Sequence, residues 1–353
     1  MKILYFTKYS RNAGSSRLRS FQYFPLLEEA GFHVEVSPLF SEEYLVNLYS
    51  GKSTIKQAVQ GYLRRLIKIF QVGKFDRVVI EKELFPYLPS WVEMIFKKLG
   101  VHYIVDYDDA IFHNYDQSKS YLIRQLLGNK IGSVMKNSSM VVAGNSYLAD
   151  YALKKGAKNI EVIPTVIDLS RYPIIEKLDN KIFTIGWIGT KSTFEKHLLP
   201  CREWIMKVQE LDPEIRFHII GVESGENLGK NVYYFPWTEE TEAEEILKMD
   251  VGIMPLQDSL WERGKCAYKL IQYAACGVPG IASNIGMNRE IIINGETGIL
   301  AENDKQWVET VIHLKNNDNE RMILGKKARA KVEKLYNTEV TTLRWIEILK
   351  NAP

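Results

Sequence analysis

Cysteine is scarce in this chain, and its spacing excludes two common kinds of site. Only three cysteines, Cys201, Cys266 and Cys276, occur among the 353 residues, and no two of them form a Cys-x-x-Cys pair. Neither a disulfide framework nor a cysteine-ligated metal site is therefore expected. A reducing cytoplasmic compartment is the simplest setting for such a chain.

Long apolar runs are also missing. No uninterrupted stretch reaches the roughly 18 apolar residues that a membrane-spanning helix requires. The apolar stretch Ile3–Phe6 is too short for the core of a secretory signal and is typical of a first strand. We therefore expect a cytoplasmic protein without a membrane-spanning segment.

Two glycine-rich nucleotide motifs are absent as well. The turn over residues 12–19 contains Gly14 and Arg17 but is not the GxGxxG fingerprint of dinucleotide-binding folds. The string that begins at Gly189 resembles a P-loop, except that Thr190 stands where that motif has glycine. The first turn still suits an anionic or hydroxyl-rich ligand, and Lys191 can still contact phosphate. For both turns the alternative is an ordinary surface loop.

Acidic residues are missing from residues 44–75, which instead carry six cations interleaved with apolar residues. This pattern predicts a basic amphipathic helix, which can lie on an anionic membrane, each cation contributing about 1 kcal/mol. The alternative is a solvated helix face over the N-terminal core. No aromatic stacking platform accompanies the cations, so nucleic acid is not an expected partner. The cations are Lys52, Lys56, Arg64, Arg65, Lys68 and Lys74.

The overall length and pattern indicate two α/β domains. A chain of 353 residues with 46% hydrophobic and 25% charged residues suits a globular protein of two domains. Strand-like and helix-like segments alternate in both halves, which is typical of doubly wound parallel sheets. Among them we expect helices over residues 16–30 and 146–154 and strands over residues 77–84 and 280–283. A polar, proline-containing segment without periodicity, residues 171–181, is the predicted linker.

The segment Gly264–Ser283 has the most informative pattern. Apolar residues recur at helical spacing from Lys265 to Ala275, and Gly277 is the predicted helix cap. An exposed helix N-terminus carries free N–H groups and about half a positive charge, to which Lys265 and Lys269 would add. That combination suits a diphosphate, and the alternative is a core helix with solvated lysines.

This segment and its surroundings resemble the donor site of family 4 glycosyltransferases, retaining enzymes of the GT-B fold. Residues 272–279, QYAACGVP, correspond to the family's Glu-Ala-Met-Ala-x-Gly-x-Pro, and GMNREII and GETGIL within 286–300 match its two glycine motifs. Residues 162–168 are similar to its Pro-Asn-Gly-Val-Asp element. The family has two glutamates eight positions apart, where this chain has Gly264 and Gln272. Glu262 lies close enough to substitute for the first of them.

The resemblance implies a GT-B fold, with two doubly wound Rossmann-like domains facing each other across a cleft. An N-terminal, acceptor-side domain is expected over residues 1–170, with a last helix over residues 338–353 packing back on it. A C-terminal domain that binds the nucleotide sugar is expected over residues 181–337.

The resemblance also implies functional residues on both sides of that cleft. On the acceptor side it assigns Gly14 and Arg17, and it makes Asp108 and Asp109 candidates to orient the acceptor hydroxyl or to stabilise positive charge on the sugar. A metal-binding Asp-x-Asp and a helix cap are the alternatives for these aspartates. We expect no obligatory metal or other cofactor. The implied donor-binding residues are Gly189, Thr190, Lys191, Lys265, Cys266, Lys269, Gln272, Gly286 and Met287.

The activity implied by the resemblance is transfer of a sugar, with retention, from a nucleoside-diphosphate sugar to a saccharide or lipid-linked acceptor. A role in surface glycan synthesis would place the enzyme in the cytoplasm or peripherally on the inner face of the cell membrane, with residues 52–74 on the anionic surface. Two alternatives stay open: a sugar-nucleotide 2-epimerase of the same fold, and a non-catalytic GT-B partner subunit.

Overall fold

The computed structural model describes residues 1–173, 182–224 and 228–352. These residues form two compact units. The first comprises Met1–Thr165, Arg263–Cys266 and Thr338–Pro353, and the second comprises Val166–Glu262 and Ala267–Asn337. Most of the predicted linker, and the predicted start of the C-terminal domain at residue 181, lie outside the described residues.

The first unit is built on a six-stranded parallel sheet with the strand order β2-β1-β3-β4-β5-β6. Its central strands are apolar and buried, as expected of a parallel sheet that is covered on both faces. The order along the chain reverses between β1 and β3, and ligands of such sheets bind beside the carboxyl ends at this point. The strands are β1 (Lys2–Phe6), β2 (His33–Val36), β3 (Arg77–Glu81), β4 (Tyr103–Tyr107), β5 (Met140–Ala143) and β6 (Ile160–Val162).

The second unit has a parallel sheet of six strands in the order β12-β11-β10-β7-β8-β9. The order along the chain reverses here between β7 and β10, which opens a corresponding crevice at their carboxyl ends. The strands are β7 (Thr184–Ile188), β8 (Arg216–Ile220), β9 (Val232–Phe235), β10 (Val251–Met254), β11 (Gly280–Ser283) and β12 (Gly298–Ala301).

Helices cover the sheets and are numbered along the chain. Those that precede residue 166 are α1 (Gly14–Arg19), α2 (Phe24–Glu29), α3 (Glu42–Tyr49), α4 (Ile55–Ile69), α5 (Trp91–Lys98), α6 (His113–Asp116), α7 (Tyr121–Leu127), α8 (Lys130–Asn137) and α9 (Ser146–Lys154). The others are α10 (Lys191–Thr193), α11 (Arg202–Leu211), α12 (Glu242–Leu247), α13 (Leu260–Arg263), α14 (Tyr268–Ala275), α15 (Asn288–Ile291), α16 (Asp304–Lys315), α17 (Asp318–Leu335) and α18 (Thr338–Asn351).

The last helix, α18, belongs to the first unit. The Tyr23 hydroxyl lies 3.1 Å from the Thr341 hydroxyl, and the rings of Tyr23 and Trp345 are 6.1 Å apart. The Arg77 guanidinium donates to the carbonyl oxygens of Leu349 and Ala352 at 3.0 and 2.9 Å. These contacts attach the end of the chain to the sheet of the first unit.

The predicted class, two doubly wound parallel α/β units, is confirmed. The single helix predicted from Ser16 to Ala30 is wrong, because α1 and α2 are separate there. Pro25 lies in the first turn of α2, and without an N–H it cannot continue the hydrogen-bond ladder of a helix. Among the described residues, no helix has both the length and the apolar character needed to cross a membrane.

Candidate functional site

A polar cluster lies where β1 and β3 of the first sheet end. Glu81, the last residue of β3, is buried and accepts hydrogen bonds from the Ser16 hydroxyl at 2.7 and 2.9 Å. The backbone N–H of Lys8 donates to the same carboxylate at 3.1 Å. Burial raises the pKa of Glu81. The start of α1 is thereby fixed against the switch point of the sheet.

Lys82 forms the centre of this cluster. Its ammonium lies 2.8 Å from Asp108 Oδ1, 3.7 Å from Asp109 Oδ2 and 2.8 Å from the Ser15 hydroxyl. Although burial opposes its charge, the two aspartates raise the pKa of Lys82 above its usual value. The backbone of Lys82 has a φ of 67°, a conformation that non-glycine residues rarely adopt and that is frequent at functional sites.

The two predicted catalytic aspartates have different environments. Asp108 is 11% exposed and accepts a hydrogen bond from Ser15 at 2.8 Å. Burial acts against its charge, but Lys82 and Arg19 lower the pKa of Asp108 to about 2. The Asp109 side chain is 32% exposed, and burial together with the Asp108 charge raises its pKa. Asp109 is therefore the aspartate that a bound molecule can reach.

Asp106, the first aspartate of the Asp-x-Asp string, already has a cationic partner. It is buried and forms an ion pair with the guanidinium of Arg19, whose Nε donates at 3.0 Å. Arg19 also donates to the carbonyl oxygen of Ile163 at 2.8 Å. The two carboxylates of the Asp-x-Asp string, Asp106 and Asp108, are thus paired with Arg19 and Lys82. Among the described residues, no group of three His, Cys, Asp or Glu side chains is arranged to hold a metal ion.

The predicted acceptor-side residues Gly14 and Arg17 both lie on α1, beside this cluster. Gly14 is the first residue of α1 and is exposed, and a Cβ built on it would meet no atom within 4 Å. Arg17 is half-buried, one turn further along the helix. Gly14 therefore leaves open space at the start of the helix.

The segment Arg263–Cys266 does not form the helix that the sequence predicts from Lys265. The helix expected to begin after Gly264 begins at Tyr268, because Ala267 has a left-handed φ of 50°. Lys265 therefore precedes the helix and shares no helix face with Lys269. The Asn145 amide donates to the carbonyl oxygens of Gly264 and Lys265 at 2.9 and 3.1 Å, and both residues belong to the first unit.

Close packing explains why a glutamate is absent at position 264. A Cβ on Gly264 would lie 2.5 Å from the Ala110 Cβ and 2.9 Å from its backbone nitrogen. Cys266 is also held in this unit, because its Sγ donates to the carbonyl oxygen of Asp108 at 2.9 Å. Burial raises the pKa of Cys266 to about 12. Lys265 and Cys266, predicted on the nucleotide-binding domain, thus lie beside the ends of β4 and β5.

Two predicted donor-binding residues, Gly189 and Lys269, lie beside Trp187 at the carboxyl end of β7. The turn Gly189–Lys191 directly follows β7, and the Gly189 N–H donates to the carbonyl oxygen of Ile220 at 3.0 Å. The Lys269 ammonium lies 5.1 Å from the centroid of the buried Trp187 ring. A Cβ on Gly189 would lie 2.5 Å from the same ring, so glycine is required beside Trp187.

The helix α14 is tied to the same two strands. The Tyr273 hydroxyl accepts from the Ile188 N–H and donates to the Ile253 carbonyl oxygen, both at 3.2 Å. These bonds place the first turn of α14, with Lys269, near the carboxyl ends of β7 and β10. Gln272 lies on this helix and is buried. Lys191 lies in α10 and is exposed.

The turn after β11 supplies two further predicted residues. Gly286 has a φ of 47°, and Met287 is buried. Within the described parts of the chain, the N–H groups of Gly286 and Met287 donate to no acceptor, whereas the next N–H, of Asn288, donates to Ile285. Two adjacent N–H groups without an acceptor are suited to an anion.

Glu262, considered as a replacement for the missing glutamate, has protein partners in this structure. It is buried, and it accepts hydrogen bonds from the Lys196 ammonium at 2.5 Å and from the Ser259 hydroxyl. Burial acts to raise the pKa of Glu262, but the two hydrogen bonds lower it by more than burial raises it. The pKa of Glu262 is therefore below its usual value. His197 Nε2 lies 3.6 Å from the same carboxylate.

Sequence reasoning missed Glu81, Lys82 and Ser15. The signal was the charged string Glu81-Lys82-Glu83 directly after a buried strand, since polar residues at the carboxyl end of a parallel strand often contact ligands. Because the sequence predicts one continuous strand over residues 77–84, the end of β3 at Glu81 was not recognised.

Part of the chain matches a known protein family. Residues 180–317 match the family model described as Glycosyl transferases group 1. No curated protein matches the chain.

Solved structures match over nearly the whole chain. A sucrose-phosphate synthase from Thermosynechococcus elongatus has a TM-score of 0.70 at 14% identity, over 99% of this chain and 98% of that one. A glycosyltransferase from Rickettsia africae has the same TM-score and identity, over 99% and 97%. HepE from Anabaena, solved with UDP and glucose, has a TM-score of 0.67 at 12% identity, over 99% of each chain. The chain therefore has the GT-B fold of these structures, and its residues 180–317 match the group 1 glycosyltransferase model.

Proposed function

We propose that this enzyme transfers a sugar from a nucleoside-diphosphate sugar to a saccharide or lipid-linked acceptor, with retention of the anomeric configuration and without an obligatory metal. The observation that carries the proposal is that Lys269 and Gly189 both lie beside the Trp187 ring, at the carboxyl end of β7 in the second sheet. HepE, of the same fold, was solved with UDP and glucose, which supports a uridine nucleotide as the donor.

The diphosphate is assigned to the second sheet. Lys191 and Lys269 would supply positive charge, and the N–H groups of Gly286 and Met287 would donate hydrogen bonds. Charge that develops on the leaving diphosphate would then be stabilised by fixed donors, which is how such sites lower a barrier without a metal.

The acceptor is assigned to the carboxyl edge of the first sheet, near Gly14, Arg17 and the aspartates. Because Lys82 and Ser15 already bind Asp108, we assign the contact with the acceptor hydroxyl to Asp109, whose side chain is partly exposed. In a retaining reaction the hydroxyl attacks the face from which the diphosphate leaves. Asp109 would accept the hydroxyl hydrogen bond, and Asp108 and Lys82 would keep its position fixed.

The reaction can be tested by incubating the protein with single UDP- and GDP-sugars, alone and with a panel of saccharide and lipid-linked acceptors. We expect a glycosylated acceptor whose new linkage has the anomeric configuration of the donor, read from the proton coupling constant by NMR. Inversion would refute retention. Conversion of the donor sugar to its 2-epimer in the absence of acceptor would identify an epimerase instead.

We further propose that residues 52–74 contact the anionic inner face of the cell membrane, consistent with a lipid-linked acceptor in surface glycan synthesis. The apolar residues of α4 support this, because they point to solvent while its buried side carries Gln57, Gly61 and Arg65. Phe70, which directly follows the helix, is 84% exposed. The exposed apolar residues on α4 are Ile55, Val59, Leu63, Leu66 and Ile67.

A further inference from the structure

A second helix of the first unit presents an apolar stripe to solvent. On α5, Val92, Glu93 and Phe96 are buried, whereas the opposite side is apolar and exposed. Trp91, at the start of the helix, is 48% exposed. A soluble helix normally buries its apolar side, so this stripe indicates a contact that the unit alone does not provide. The exposed apolar residues are Trp91, Met94, Ile95 and the following Leu99.

The segment Leu84–Tyr87 forms hydrogen bonds with both α4 and α5. The Leu84 N–H donates to Glu93 of α5 at 3.2 Å, and the Leu84 carbonyl oxygen accepts from Arg65 of α4, also at 3.2 Å. The hydroxyl of Tyr62, on α4, donates to the Pro86 carbonyl oxygen at 2.6 Å. The two helices therefore flank one short segment.

Tyr87, at the end of this segment, adds an exposed aromatic ring. It is 62% exposed and has a φ of 59°, which is unfavourable for a tyrosine. The Tyr87 N–H donates to the Tyr115 hydroxyl at 3.1 Å, and the two rings are 5.7 Å apart. The contacts with Tyr115 thus hold Tyr87 in an unfavourable backbone conformation with its ring exposed.

The charges on this surface identify its partner. Lys56 and Arg64 on α4 and Lys97 and Lys98 on α5 are exposed. Of the acids near these helices, Glu81, Glu83 and Glu93 are buried, and the exposed Glu35 is paired with Lys68 of α4. A symmetric dimer through this face would bring these cations against the same cations of the other copy, which is unfavourable. Exposed cations around apolar and aromatic side chains instead match anionic lipid, where Trp and Tyr occupy the interface between headgroups and acyl chains.

We propose that Tyr87 and the exposed stripe of α5 form a second contact with an anionic bilayer, beside α4, and that Trp91 enters the interface. This inference rests on the membrane contact proposed for α4 and deepens it by naming the surface and its lipid. Two neighbouring apolar stripes bury more area in the membrane than one, so binding is stronger and the orientation of the first unit is fixed.

Trp91 is a built-in probe for this contact. We would mix the full chain with vesicles of phosphatidylglycerol and phosphatidylcholine in which the lipid is brominated near the head of the acyl chain, and measure tryptophan quenching. We expect quenching that Trp91→Phe removes in large part and that the control Trp237→Phe, in the second unit, leaves unchanged. Vesicle binding with equal quenching in the wild type and Trp91→Phe would overturn the α5 contact alone.

Flotation with the same vesicles separates the two proposals. Ile95→Glu with Leu99→Glu should weaken binding about tenfold or more, since apolar contact is lost and negative charge is added. The control Leu153→Glu replaces a leucine on α9 that is 65% exposed, against 72% for Leu99, and should leave binding unchanged. Absence of wild-type binding to any anionic vesicle would refute both membrane contacts. If the wild type sediments as a dimer and the double variant Ile95→Glu with Leu99→Glu is a monomer, this surface binds a second copy of the chain and not a bilayer.

Discussion

Lys82 shows how one side chain organises the first unit's polar cluster. It lies in a buried position between Asp108, Asp109 and Ser15, in a backbone conformation that costs a non-glycine residue free energy. A buried ion pair stabilises a fold only while both charges are present, because either charge alone is poorly solvated. Lys82 therefore keeps Asp108 ionised and leaves Asp109 as the accessible carboxyl group.

Replacement of Lys82 by methionine should destabilise the protein by about 3 to 5 kcal/mol, because Asp108 would lose its buried partner. Urea unfolding monitored by circular dichroism measures this change. Lys98→Met replaces an exposed lysine and should change the free energy of unfolding by less than about 0.5 kcal/mol. Equal effects of the two substitutions would show that the Lys82 ion pair is not formed.

Asp108 should give the protein a specific acid sensitivity. Its pKa is about 2 in the folded protein, against an ordinary value of 3.8, so the ion pair stabilises the fold above about pH 4. That stabilisation, about 2 kcal/mol, is lost as the pH falls from about 4 to about 2. Free energies of unfolding of the wild type and Asp108→Asn, measured across this range, should converge at low pH. Parallel curves would contradict the lowered pKa of Asp108.

Gly264 should not tolerate a side chain. Even Gly264→Ala would force the new Cβ against Ala110, and such overpacking costs about 1 to 3 kcal/mol. The matched control is Gly73→Ala, where a Cβ would meet no atom within 4 Å. Thermal unfolding of both variants measures the difference, and an unchanged midpoint for Gly264→Ala would disprove the close packing.

Helices and strands were predictable where local chemistry determines their ends. Asn145 caps α9 by accepting a hydrogen bond from the Leu148 N–H at 3.0 Å, and α9 has the bounds that the sequence predicts. The same holds for β11, which follows Gly277 and Pro279. The start of α14 was not predictable, because the left-handed φ of Ala267 has no local signal such as glycine or asparagine.

The helix α4 departs from the prediction in another way. Arg65, predicted among the surface cations, is buried and donates to the Leu84 and Ser37 carbonyl oxygens at 3.2 and 2.7 Å. Sequence periodicity identifies an amphipathic helix but not which side faces the core, and here the polar side does. The apolar side is left available for a membrane.

Leu63→Glu with Ile67→Glu should therefore reduce sedimentation with phosphatidylglycerol vesicles, since two apolar contacts are replaced by two negative charges. Leu343→Glu, on α18, is the control, because Leu343 is 69% exposed and outside the proposed surface. Binding should also weaken in high salt. If both variants sediment like the wild type, α4 does not contact the membrane.

For the whole chain, the alternation of buried strands and helices was sufficient to predict two doubly wound units. The residues that form each candidate site were only partly predictable, because they come together through long-range packing. Gly189 and Lys269 both lie beside Trp187 at the expected sheet edge, while Lys265 and Cys266 pack on the first unit through Asn145 and Asp108. Nothing in the local sequence around Lys265 specifies those partners.

The central claim is that the second sheet binds a nucleoside diphosphate through Lys269 and the Gly189–Lys191 turn. Isothermal titration of the full chain with UDP and with GDP tests it most directly. We expect saturable binding of at least one of them, weakened by about 1 to 3 kcal/mol in Lys269→Ala and unchanged in the control Lys207→Ala on α11. Failure of the wild type to bind either nucleotide, or full affinity in Lys269→Ala, would contradict this account.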